Sequence, residues 1–244
     1  MSDDEKTKED QGPAGRQPVF LLPGVVTLLC GLLVAVHVAA GILDADGTRQ
    51  LTFWFGYIPL RIVAGFENAA DWLPLLWTPV THALLHANWE HLIMNTAWLA
   101  IFATPVARRY GAVPLVVIFT LSAAAGAAAF TATSLYDARF LIGASGGVAG
   151  LTGAAVRFIF QPLVVARDPL TDRPVVLGRR LASLADLIRN PRSRWFVFIW
   201  VALNAAVPVL PLVIGGDAFP IAWQAHLGGF AAGLLLIPLF ERRP

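Results

Sequence analysis

Residues 143–160 read GASGGVAGLTGAAVRFIF. They carry a single charge, Arg157, and are otherwise almost wholly small and aliphatic. Eighteen such residues, rising ~1.5 Å each in a helix, nearly match the ~30 Å of hydrocarbon in a bilayer. The stretch reads as a membrane span, and it sets the fold class.

Similar blocks lie on either side, at about 18–43, 88–107, 112–133, 195–214 and 222–240. With the first stretch they make six spans, so an all-α polytopic membrane protein is expected. Composition agrees: 57% of residues are hydrophobic and only 14% charged, where a soluble domain carries about a quarter charged. Mean hydropathy is +0.65. Residues 1–17 are too polar to bury a core and read as a disordered cytoplasmic tail. The membrane domain is then 18–244, with an outer loop at 44–87 and a cytoplasmic loop at 161–194. The first apolar block is too long for a signal-peptide core, and the start carries no organelle presequence, so a bacterial cytoplasmic (inner) membrane is expected.

The outer loop contains FWFGYIPLRIVAGF (53–66) and an apolar run from Trp72 to Val80, interrupted by Pro59, Pro74 and Pro79. These predict a structured segment at the interface, where Trp and Tyr gather, rather than a seventh span. In the cytoplasmic loop, Leu177, Leu181, Leu184 and Ile188 recur at helical spacing among Arg179, Arg180 and Arg189, before Asn190-Pro191. They predict an amphipathic helix on the inner leaflet, or a solvated loop helix.

Charge orients the bundle. With the N-terminus inside, fifteen Lys and Arg fall on inner segments, while only Arg49, Arg61 and Arg139 fall outside. The positive-inside rule puts both termini in the cytoplasm. The net charge of +2 suggests no nucleic-acid partner, and the lone Cys30 allows no intrachain disulfide and no cysteine metal cluster.

Polar side chains inside spans are costly and ask for a reason. His91 and Asn95 stand four apart on one face of span two, Ser145 lies among glycines at the start of span four, and His226 lies near the outer end of span six. Counted from the inner arginines 157, 108 and 242, Ser145, Asn95 and His226 rise ~18, ~20 and ~24 Å, so all three share the outer half of the bilayer. Gly143/Gly147 and Gly146/Gly150 in span four, and Gly229/Gly233 in span six, are small-xxx-small pairs that let backbones approach. A serine hydroxyl becomes a nucleophile when an imidazole takes its proton, which casts Ser145 as nucleophile and His226 as base. A developing oxyanion needs preorganised donors; His91, Asn95 and the Ser145 N–H are the candidates. No buried Asp or Glu stands near His226 in the sequence, so a dyad is expected.

Together, His91-x-x-x-Asn95, Gly143-Ala144-Ser145-Gly146 and Ala225-His226-x-x-Gly229-x-x-x-Gly233 resemble the rhomboid family of intramembrane serine proteases, over about residues 77–240. The resemblance implies a rhomboid-like six-transmembrane-helix bundle and a Ser–His dyad opening to the outer face. It also implies hydrolysis of a peptide bond in or near the transmembrane helix of single-span membrane-protein substrates, with no metal and no cofactor. Two positions depart from the family pattern. Many members carry an aromatic residue four after the serine, stacked on the catalytic histidine, where this chain has Ala149; many carry Trp-Arg before span two, where it has Trp77-Thr78.

Other readings fit less well. His82, His86 and His91 lack the H-E-x-x-H spacing of a zinc site; His82 and His86 are expected to serve loop backbone groups or hold water near the site. His37 has no assigned role. Gly143–Gly147 also matches the G-x-S-x-G nucleophile elbow, but that motif needs a strand before it, and here both flanks are span material. A transporter would place its polar groups at the midplane and show an inverted repeat. A catalytically silent relative that binds membrane clients would be expected to have lost the serine or the histidine.

Overall fold

A computed structural model of the chain describes residues 22–207, 209 and 221–241. The expected tail (1–17), the start of span one (18–21), most of the end of span five (208 and 210–214) and the inner marker Arg242 lie outside them. The elements are α1 (Gly24–Gly41), α2 (Ala45–Phe55), α3 (Arg61–Ala64), α4 (Thr78–Thr81), α5 (Trp89–Tyr110), α6 (Ala112–Ser134), α7 (Ser145–Ile159), β1 (Leu163–Arg167), β2 (Pro174–Arg179), α8 (Leu184–Arg189), α9 (Pro191–Ala206) and α10 (Trp223–Leu236). The chain is a polytopic helical membrane protein. α1, α6, and α10 together with the turn ending at Phe240 are long and apolar enough to cross a bilayer by themselves.

Burial ranks the helices. In α7 every residue from Gly146 to Phe158 is buried, so it forms the axis of the bundle, packed among α5, α6 and α10. A helix apolar on all sides must be enclosed. α1 buries only Val26 and Leu33, and leaves Leu28 and Leu32 exposed; α9 exposes Phe198, Ile199 and Leu203. Such apolar exteriors suit lipid rather than water. At 15 residues α7 is ~22 Å long, shorter than the ~30 Å of hydrocarbon in a bilayer.

The inner end of α7 is pinned by Arg157, which is buried and donates from Nε to the Ala182 carbonyl (2.6 Å) and from Nη1 to the Leu234 carbonyl (2.6 Å). One side chain thus ties the axial helix to the 161–194 loop and to α10. Losing two charge-assisted bonds leaves two carbonyls without their partner. Arg157→Met is therefore expected to cost about 3 kcal/mol, read as a lower thermal unfolding midpoint in detergent. Beside it, Glu241 accepts from Arg109 Nη2 (2.6 Å) and from the Tyr110 hydroxyl (2.5 Å), fastening α5 to the turn after α10.

The loop at 161–194 corrects an expectation. Leu177 and Leu181 are not helical: β1 and β2 form an antiparallel hairpin, and only α8 is helical before Asn190. Val164 and Val165 face Gly178 and Val176, and Gly178 takes φ +110°, which a helix does not allow. β-Branched pairs favour the extended chain, and they outweigh the leucine spacing. Ser183 and Asp186 then form a capping box that starts α8.

The segment 44–87 is structured, as expected, and holds no helix long and apolar enough to cross a bilayer among the described residues. The Trp77 indole donates to the Trp54 carbonyl (2.7 Å) and the Thr81 hydroxyl to the Phe55 carbonyl (2.9 Å). Arg61 is buried, lies over the Phe53 ring and donates to the Phe53 carbonyl (2.5 Å). Arg61 thus serves this loop although Trp77 is followed by Thr78.

Candidate active site

Ser145 is the first residue of α7 and is half-buried. The turn before it depends on Gly143, whose φ of +119° lies in the left-handed region that favours glycine. A Cβ there would also stand 2.6 Å from Cε1 and 2.7 Å from Nε2 of His91, so the glycine makes room for the imidazole as well as for the turn. The Gly143 N–H donates to the His82 carbonyl (2.9 Å) and the Ala144 N–H points to His86 Nε2 (3.4 Å). The first N–H groups of α7 have no intrahelical acceptor and no side-chain cap, so positive potential gathers where Ser145 stands.

His91 is set by the start of α5. The Asn88 side chain caps the helix by accepting from the His91 N–H (2.8 Å), which leaves the ring at the outer tip, over Gly143. Asn95 lies one turn further in and is buried; its Nδ2 donates to the His91 carbonyl (3.0 Å), within its own helix rather than across to a neighbour. His82 and His86 sit in the outer loop. Burial pushes both down to about 4, so both rings are neutral. His82 Nδ1 meets the Thr78 carbonyl (2.9 Å), the loop-backbone role the sequence suggested. His37 packs edge-on to Trp89 (4.7 Å).

The glycine pairs bring α10 against α7. A Cβ on Gly229 would lie 2.8 Å from the Gly146 carbonyl carbon, and one on Gly233 would lie 2.8 Å from Gly150 Cα. The offset between partners is the same at both crossings, so the helices run parallel and in register. Ser145 precedes Gly146, and His226 lies one turn before Gly229, so the two residues lie at the same end of the crossing. No direct hydrogen bond joins them. His226 Nδ1 instead lies 2.8 Å from Oδ1 of Asn204 on α9.

Sequence reading missed Asn204. The signal was available, since a carboxamide inside a span is as costly as the groups it did single out. Ala149, where the family often has an aromatic, packs with Phe230 and Trp200, whose rings stack 4.3 Å apart at 18°. Trp200 and Phe230 are each one turn further in than Asn204 and His226.

This geometry sits within a recognisable sequence. A family profile described as Rhomboid domain matches residues 74–243. The chain belongs to the rhomboid family. RHOMBOID-like protein 1 of Arabidopsis thaliana is 30% identical to it over 170 residues, 69% of this chain and 36% of the relative. RHOMBOID-like protein 4 of the same plant is 27% identical over 165 residues, 66% of this chain and 33% of the relative. The chain thus aligns with about a third of the length of each. Both are plant proteins and lend the expected bacterial membrane no support. The profile match starts at Pro74, so α1, α2 and α3 precede the matched residues.

Proposed function

We propose that the protein is an intramembrane serine endopeptidase that cuts single-span membrane-protein substrates in or near their transmembrane helix. The supporting observation is the backbone contact of α7 with α10, which aligns the starts of the two helices, where Ser145 and His226 lie. Family membership supports the reaction class. The excess of inner arginines supports a site that opens to the outer face, with both termini in the cytoplasm.

In this reading His226 takes the hydroxyl proton as Ser145 Oγ attacks the scissile carbonyl carbon. The tetrahedral oxyanion accepts from the Ser145 N–H, the His91 ring and the free Nδ2 hydrogen of Asn95. Collapse breaks the C–N bond; His226 gives its proton to the leaving amine, and the acyl group stays on Ser145 Oγ. Water, deprotonated by His226, then releases the carboxylate and restores Ser145. Of the donors, the His91 ring is held by the Asn88 cap and by Gly143. His91→Ala and Asn95→Ala are each expected to lower kcat by about 10²–10³-fold, read as initial cleavage rates.

A client-binding protein without catalysis is the second reading, favoured by the missing Ser145–His226 hydrogen bond. One experiment separates the two: purified wild type, Ser145→Ala and His226→Ala incubated with a panel of single-span substrates. Cleavage by wild type alone supports the protease. Binding by all three without cleavage supports the client-binding protein.

A further inference from the structure

The amide of Asn204 on α9 lies against the imidazole of His226. Asn204 follows Trp200 by one turn of α9, and its Nδ2 donates to the Trp200 carbonyl oxygen at 2.8 Å. This bond settles which way the amide faces, because flipping it would set two acceptor oxygens against each other. Oδ1 is therefore the atom that meets His226 Nδ1 at 2.8 Å. A carboxamide oxygen only accepts, so Nδ1 must donate. Neutral imidazole has a single N–H, which leaves Nε2 with a free lone pair. That is the tautomer a serine's general base requires.

We propose that Asn204 is a positioning residue that holds His226 in the Nδ1–H tautomer and fixes its ring plane, extending the dyad to Ser145–His226–Asn204. The proposal rests on the protease reading above. A second contact between the same helix faces supports it. Phe230 follows His226 by four residues and Trp200 precedes Asn204 by four, and their rings stack at 4.3 Å. α9 and α10 are therefore held at two successive turns, by a hydrogen bond outside and an aromatic pair inside. Ala149 belongs to the same buried cluster, and its methyl group leaves the space the rings occupy. Histidine orientation has passed from the serine's own helix to α9.

The test compares wild type, Asn204→Leu, Asn204→Asp and Ser145→Ala, each purified as the full chain. Leucine has the branched heavy-atom skeleton of asparagine but no acceptor; aspartate keeps the acceptor. Two readouts are taken: steady-state cleavage of a single-span substrate, and the ¹⁵N NMR signature of the His226 tautomer. Asn204→Leu is expected to lower kcat by about 10- to 100-fold with KM changed less than about threefold. The same variant is expected to lose the Nδ1–H signature. Asn204→Asp is expected to restore both, with kcat within about tenfold of wild type.

Wild-type kcat and tautomer in Asn204→Leu would overturn the proposal. So would a kcat loss that aspartate does not rescue while the Nδ1–H signature persists, since Asn204 would then merely pack α9. If wild type cleaves nothing and Ser145 is not labelled by a fluorophosphonate probe, the protease reading fails by itself. The NMR comparison would still decide whether Asn204 sets the tautomer.

Discussion

Replacing Ser145 by alanine is expected to slow cleavage at least about 10⁴-fold, and His226→Ala to do nearly the same. On the barrier this is more than about 5 kcal/mol, at 1.36 kcal/mol for each factor of ten. The size follows from the chemistry: without the hydroxyl there is no acyl intermediate, and without the imidazole the hydroxyl keeps its proton. A nucleophile and base that act as a unit also make a sharper demand. The Ser145→Ala/His226→Ala double variant should be no slower than the worse single variant, because neither group works without the other. Initial rates of all three on one single-span substrate in detergent decide the matter. The Ser145 hydroxyl makes no hydrogen bond among the described residues, so its alanine variant should keep wild-type stability within about 0.5 kcal/mol. A rate loss then reflects chemistry rather than unfolding. Wild-type rates in Ser145→Ala would sink the protease reading; losses that add in the double variant would sink the dyad.

How much of this was legible in the sequence depends on how local each signal is. The helices that cross the bundle announced themselves through hydrophobic length, and their starts fall within a few residues of the expected spans wherever they are described. The pairing of α7 with α10 was legible from Gly146, Gly150, Gly229 and Gly233, because a small residue every four positions marks one helix face whatever the partner is. His91 over Gly143 was half legible: the motif named both residues, but the left-handed turn that joins them is a property of the loop. The Asn95 amide bond to the His91 carbonyl was hidden, since spacing alone cannot say whether an amide turns along its own helix or across. Asn204 stood out as a carboxamide inside a span, but its partner was hidden for a stronger reason. Its partner is 22 residues away on another helix, beyond a stretch outside the described residues, and no periodicity links the two. The hairpin at 163–179 was misread because leucines at helical spacing and valines in a strand compete, and Gly178 decided between them.

The second large effect is structural, and it tests the premise on which the chemistry stands. Gly233→Val is expected to yield little or no folded protein, and Gly233→Ala to be destabilised by about 3 kcal/mol, at the upper end for overpacking. An added Cβ at Gly233 would fall on the Gly150 carbonyl oxygen and 2.8 Å from its Cα. Both are backbone atoms of a helix buried on all sides, so neither can rotate away and α7 itself would have to move. The chain contains its own control. Gly31, on α1, has nothing within 4 Å of the same added atom, so Gly31→Ala should be neutral or slightly stabilising through helix propensity, by at most about 1 kcal/mol. Thermal unfolding of the two alanine variants in one detergent gives the comparison. A much lower midpoint for Gly233→Ala means that α7 and α10 touch backbone to backbone, and that the register aligning Ser145 with His226 is real. Equal midpoints would mean that the helices stand apart, and the serine and histidine would lose the contact that brings them together.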